Sequence, residues 1–286
     1  MKMILVQSYK GGVGKTTIAL MLAKAARLAG RSACVADFDF MGSGMNDLVK
    51  LQVLPQAFLE SFFLSSDMAL FDVRSLIGSY RDDQLVGRDL PVILNVGEGP
   101  DPSKWKKQAE LQAGVETMIA NEGRWGEIAQ GTKILLDRLQ ELGYDLVIID
   151  CHPGLDFISE ALHPLAQLNV YVTTLNRGDC FGLIKKINLK KLDAKNSFLV
   201  LNRADVVTLD LGSFQQRMRK DPLKGLEAAT IFGNSTYIGV CDEQFAAVPD
   251  TDRLRDLFLL GTAGLLPGLD MAGTDDAFCS KVLARA

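Results

Sequence analysis

Eight consecutive residues, Lys10-Gly11-Gly12-Val13-Gly14-Lys15-Thr16-Thr17, have the types and order needed to grip a string of phosphates. Glycines let backbone N–H groups curl around an anion with no Cβ in the way. A helix starting near Gly14 aims its positive end at the same place. Lys15 supplies a full positive charge for the β- and γ-phosphates, and the Thr16 hydroxyl is an oxygen donor suited to Mg²⁺. A second set, Asp37-Phe38-Asp39-Phe40-Met41-Gly42, begins 22 positions after Lys15. In an extended segment Asp37 and Asp39 point to one side, where they repel unless a cation or water lies between them. A solvated turn, which aspartate and glycine also favour, is the alternative. Asp150 ends the apolar run Leu146-Val147-Ile148-Ile149. A buried strand keeps such a terminal charge when phosphate-bound Mg²⁺ partners it.

These residues need rigid elements to aim them. Apolar runs that read as strands fall at 3–6, 33–36, 91–96, 146–149, 169–173, 198–201 and 237–240. Helical stretches read at 14–29, 104–121 and 128–142, with Gly30 as a stop for the first. The alternation predicts an α/β fold: a mostly parallel twisted sheet with helices on both faces. With the Lys10–Thr17 string set between its first strand and first helix, that fold resembles the P-loop nucleoside triphosphatase type. In that frame the phosphate loop joins the first strand to the first helix, and the carboxylates sit at strand ends. Asn202-Arg203 closes another apolar run. A side-chain amide pairs a donor with an acceptor, which suits an adenine edge, while a strand-end turn is the other reading. The chain reads as one domain over 1–286, with a variable helical region at about 41–90.

The composition narrows the class. With 286 residues, 48% hydrophobic and 23% charged, the chain can bury a large core and is not a disordered or fibrous protein. A net charge of −4 gives no global attraction to nucleic acid or anionic lipid, so such binding requires a local patch. Cys34, Cys151, Cys180, Cys241 and Cys279 are scattered, with no C-x-x-C pair, which reads as reduced thiols in a cytoplasmic protein. The opening residues run straight into the phosphate loop, leaving no room for a signal peptide, and the apolar stretch at 257–266 is too short to span a bilayer.

The string K-G-G-V-G-K-T-T resembles the deviant Walker A motif of the ParA/MinD family of ATPases, with Tyr9 where the generic pattern wants glycine. The resemblance implies ATP and Mg²⁺ as ligands and a homodimer that forms on ATP binding. It implies that Lys10 reaches the partner subunit's phosphates, although a solvated lysine acting through its field is also open. Asp37-x-Asp39 resembles the family's first switch, with Asp39 orienting the attacking water and Asp37 supporting Mg²⁺. Asp150-Cys151-His152-Pro153-Gly154 has the D-x-x-x-G spacing of the second switch, in which the Gly154 N–H senses the γ-phosphate. Relatives usually carry prolines where this chain has His152 and Pro153. His152 reads as a polar surface residue without a catalytic role. Asn202 and Arg203 resemble the pair that reads the base, and Pro249 the proline whose loop closes over the ring.

By the same resemblance the chain is a slow, Mg²⁺-dependent ATPase with a protein activator or cargo adaptor. Unassisted turnover is expected at about 10⁻⁴ to 10⁻² per second. Partition or positioning of DNA or another cargo is the first role. The clusters Lys185–Lys195 and Arg217–Lys224 offer non-specific DNA contacts, or solvated helix faces. A membrane-surface regulator of division or flagellar placement is the alternative. For membrane contact the basic, weakly amphipathic end near Phe278, Val282 and Leu283 gives slight support, opposed by Asp275 and Asp276. A metallocofactor-maturation ATPase ranks third, because no paired cysteines are present.

Overall fold

The computed structural model describes residues 1–42, 45, 48–49, 51–81, 85, 89–96, 105–121, 125–154, 157–174, 179, 182–183, 197–204, 245–249, 282–284 and 286. Eight strands among them form one sheet: β1 (Lys2–Gln7), β2 (Ala33–Phe38), β3 (Ile77–Tyr80), β4 (Leu90–Ile93), β5 (Leu146–Cys151), β6 (Leu168–Thr173), β7 (Ser197–Ala204) and β8 (Phe245–Pro249). Their order across the sheet is β3-β4-β2-β5-β1-β6-β7-β8. All neighbours are parallel except β3 with β4. The helices are α1 (Lys15–Leu28), α2 (Leu59–Phe63), α3 (Trp105–Ala120), α4 (Trp125–Glu141) and α5 (Phe157–Leu162).

Strands β2, β5 and β6 are buried at every position, as continuous apolar runs require when helices cover both faces. Alternate side chains supply two cores. Ile4, Val6, Val35, Ile148 and Val170 pack with Ile18, Leu22 and Ala26 of α1 on one face. Met3, Leu5, Cys34, Val147 and Ile149 pack with Val115 and Met118 of α3 and Ile128, Leu135 and Leu139 of α4 on the other. Cys34 and Cys151 lie in this second core, neither of them in a disulfide, and burial pushes the Cys34 thiol up to about 12.

Strands expected at 3–6, 33–36, 91–96, 146–149, 169–173 and 198–201 correspond to β1, β2, β4, β5, β6 and β7. The one expected at 237–240 lies outside the described residues. The 41–90 region differs from a purely helical excursion. It supplies α2, a 3-10 turn at Val73–Leu76 and the antiparallel edge strand β3. Strand β3 is held by Ile77 opposite Ile93 and Tyr80 opposite Leu90. Its sequence, Ile-Gly-Ser-Tyr, is too short to announce a strand by periodicity. A Cβ at Gly78 would lie 2.7 Å from Leu51 Cδ1 and 3.1 Å from the Val53 carbonyl oxygen, so a larger residue there would make its neighbours shift. No described helix is long and apolar enough to cross a membrane.

Candidate functional site

Strands β2, β5 and β1 are adjacent and parallel, so their carboxyl ends open on one edge, the usual ligand side of such sheets. After Gln7 the chain turns through Ser8–Gly14 and enters α1 at Lys15. Gly12 (φ 76°) and Gly14 (φ 93°) are left-handed, a region that side chains with a Cβ rarely adopt. No side chain caps α1 at Gly14, and its first turn contains no acid. The helix dipole and leading N–H groups therefore face no competing carboxylate from that turn. Lys15 is almost wholly buried at the loop.

Register sets the carboxylates. Asp150 is the Cα partner of Val6 on one side and of Asp37 on the other. Both aspartates are fully buried. Asp37 Oδ1 accepts the Asp39 N–H at 2.9 Å, but Asp37 Oδ2 lies buried without a hydrogen bond, and the buried Asp150 oxygens have only the neighbouring Thr16 hydroxyl and Lys15 charge, short of a well-formed bond. Burial, and then the charge of Asp150, holds the Asp37 carboxyl well above the ordinary carboxylate range. Burial pushes Asp150 up to about 6, against the opposing pull of Lys15 and the Thr16 hydroxyl. Two buried carboxylates with unsatisfied oxygens fit a hard cation, and the Thr16 hydroxyl adds a third oxygen. The described residues contain no cluster of three His, Cys, Asp or Glu able to hold a metal alone. A cation would thus complete its shell with water and phosphate oxygens, as Mg²⁺ habitually does.

Asp39 departs from the simple period-2 picture. Strand β2 ends at Phe38, and the Asp37–Asp39 hydrogen bond turns the chain there. The Asp39 charge still raises the proton affinity of both Asp37 and Asp150, so the three carboxylates share one field. Asn95, just past β4, donates from Nδ2 to the carbonyls of Asp39 (2.5 Å) and Gly42 (2.8 Å). Next to it, the buried Glu60 carboxylate accepts the Val96 N–H at 2.9 Å, and burial pushes Glu60 up to about 7. His152 is not the detached surface residue expected: its Nδ1 lies 2.6 Å from Asp39 Oδ1. Asn95 and His152 were the residues sequence reasoning missed. A polar side chain at the carboxyl end of a strand flanking β2 was the available signal for Asn95. The proline-to-histidine departure was the signal for His152.

The segment Cys151–Gly154 lies against the loop that precedes α1. The Gly154 N–H donates to the Ser8 carbonyl at 3.1 Å, with Gly154 at φ 106°. A Cβ on Gly11 would come within 3.9 Å of Pro153. Lys10 is more than half exposed, and its Nζ pairs with Asp179 Oδ1 at 3.5 Å. Asp179 is in turn held by the Thr174 hydroxyl, 2.5 Å from Oδ2. Tyr9, where a generic loop has glycine, covers Gly182 so closely that a Cβ there would fall 1.7 Å from the ring.

The expected base-reading residues are placed by backbone. Between Leu201 and Ala204 the β7–β8 register shifts, and the shift falls on Asn202 and Arg203. Pro249, expected beyond the last strand, is the final residue of β8, opposite Ala204. Lys185–Lys195, Arg217–Lys224 and Phe278 lie outside the described residues. Val282, by contrast, is buried in the α1-side core and Leu283 packs against it, which opposes the reading of these two as part of a membrane-binding face.

Comparison with known proteins agrees with this geometry. The family profile described as "CobQ/CobB/MinD/ParA nucleotide binding domain" matches residues 4–225. A putative septum site-determining protein MinD of Oltmannsiellopsis viridis is 31% identical over 173 residues, 60% of this chain and 44% of that protein. The chain thus spans about half the length, or less, of the curated relatives it matches. The Mg-ADP complex of MinD from Pyrococcus horikoshii superposes with a TM-score of 0.60 at 17% identity, over 98% of this chain and 93% of that one. An ATP complex of Cyanothece McdA gives 0.63 at 17% identity, over 99% and 96%. These two show the fold, and the profile over most of the length shows the lineage. The chain belongs to the CobQ/CobB/MinD/ParA family of nucleotide-binding domains.

Proposed function

We propose that this protein is a Mg²⁺-dependent ATPase working as a nucleotide-gated dimer that positions DNA or another cargo. The observation that carries the proposal is the convergence of the Gly12–Lys15 loop with the in-register pair Asp37 and Asp150 at one sheet edge. Backbone N–H groups and Lys15 hold the phosphates, while Asn202, Arg203 and Pro249 receive the base. Mg²⁺ bound through Thr16, Asp37 and Asp150 would offset phosphate charge. Asp39 orients the attacking water, Gly154 would answer to the terminal phosphate by exchanging the N–H bond it now gives the Ser8 carbonyl, and Lys10 reaches the phosphates of a second copy.

The test is light scattering with bound-nucleotide analysis on two variants. Lys15→Ala is expected to lose ATP binding. Asp39→Ala is expected to bind ATP and accumulate as a dimer. An Asp39→Ala protein that stays monomeric with saturating Mg-ATP contradicts the switch.

A second reading, a regulator of division-site placement at the membrane surface, is favoured by one observation: the curated relatives at 29–31% identity include proteins named for septum site determination. Sedimentation of ATP-trapped protein with plasmid DNA and, separately, with anionic liposomes separates the two. Pelleting with DNA supports the first, and pelleting with liposomes the second.

A further inference from the structure

We infer that His152 is the positioning residue for Asp39, locking the first switch to the second through its Nδ1. The inference rests on the ATPase reading, and its geometry comes from this chain alone. Asp39 is restrained at three points. Its N–H is held by Asp37, its carbonyl by Asn95, and its carboxylate by His152 at 2.6 Å. The first two fix the backbone. Among the described residues only His152 sets the direction of the side chain. An ionised carboxylate can only accept, so Nδ1 carries the proton whether the ring is neutral or charged. Such a charge-assisted bond is short and directional.

The imidazole is itself well anchored. It follows Cys151, the buried last residue of β5, and precedes Pro153, which restricts the backbone before it. Two residues on, the Gly154 N–H is tied to the Ser8 carbonyl of the phosphate loop. A movement of the Gly154 segment toward or away from a phosphate would therefore be transmitted to the Asp39 carboxylate by one hydrogen bond. A proline at position 152 has no donor with which to do this. The His152 side chain is 30% exposed and the Asp39 side chain it meets at 2.6 Å is 16% exposed, so the contact lies at the mouth of the site.

The experiment compares wild type, His152→Ala and His152→Asn, whose amide offers a donor near the place of Nδ1. Single-turnover hydrolysis and Mg-ATP affinity are measured on each. His152→Ala is expected to slow hydrolysis about ten- to a hundredfold. Affinity should stay within about twofold, and His152→Asn should recover most of the rate. A second readout does not depend on turnover. The chain has two histidines, so nitrogen NMR with His163→Ala as control resolves the ring of His152. Nδ1 is expected to be the protonated nitrogen at a pH where the ring is neutral, and to lose that preference in Asp39→Ala. Unchanged or faster hydrolysis in His152→Ala, a parallel loss of ATP affinity, or an unprotonated Nδ1 in wild type each overturns the inference. A wild-type protein that never hydrolyses ATP refutes the ATPase reading instead, and the nitrogen spectrum still tests the pairing.

Discussion

Lys10 Nζ lies 3.5 Å from Asp179 Oδ1, so in the single chain the lysine at the head of the phosphate loop is held by its own subunit. The lysine end is more than half exposed, and a pair of this kind contributes at most about 1 kcal/mol. A dimer that uses Lys10 across the interface must first break it. Asp179→Ala is expected to raise the Mg-ATP-dependent dimerisation constant by up to about thirtyfold, because a symmetric dimer breaks one such pair in each of its two subunits. Lys10→Ala should bind ATP and stay monomeric. Analytical ultracentrifugation checks both, and a dimer equally populated in all three proteins removes Lys10 from the interface.

Asp37 and Asp150 impose a cost on the protein without a cation. Both are buried, in register, and raised by burial, with Asp150 up to about 6. Replacing one charge by an isosteric amide relieves repulsion and desolvation together. Asp150→Asn is expected to melt higher than wild type in EDTA, by roughly 2–4 °C for each kcal/mol gained. It should also lose the stabilisation that Mg-ADP gives wild type. Calorimetric melts with and without Mg-ADP test this. A variant that melts lower in EDTA but keeps the Mg-ADP gain would contradict the assignment of Asp150.

Glu60 predicts a pH dependence of stability. Burial raises its carboxyl from 4.5 to about 7 in the fold. Between those values the folded state binds more protons than the unfolded one, so stability falls as pH rises through that window, and the loss is complete above it. Below the lower value the two states are protonated alike and nothing is lost. Glu60→Gln keeps an acceptor for the Val96 N–H and removes the titration. It should match wild type at about pH 4.5 and exceed it at about pH 8 in chemical denaturation. An equal slope of stability against pH in both proteins contradicts the buried-carboxyl account.

How much of this could be read in the chain depends on range. The loop from Lys10 to Thr17 is local: its glycines, lysine and helix start lie in one string, and the backbone adopts the path they imply. The buried strands were legible because runs such as Leu146–Ile149 have no polar face to solvate. Asp37 and Asp150 were visible as strand-end charges, but their pairing depended on β2 lying beside β5, which only topology supplies. The contacts around Asp39 were not visible. Asn95 is 56 positions away and His152 is 113 positions away. Each is a single polar residue whose meaning depends on which strands are neighbours. The short strand β3 was hidden for a related reason, since four residues at a sheet edge carry too little pattern. The base-side residues have a backbone position at the β7–β8 shift, and their role belongs to the proposal.

Titration calorimetry of Mg-ATP into wild type and Lys15→Ala tests the central claim most directly. Wild type is predicted to show saturable heat at one site per chain that disappears when Mg²⁺ is chelated and is absent from Lys15→Ala. No heat from metal-replete wild type, or equal binding by folded Lys15→Ala, would contradict a phosphate-holding loop at the head of α1.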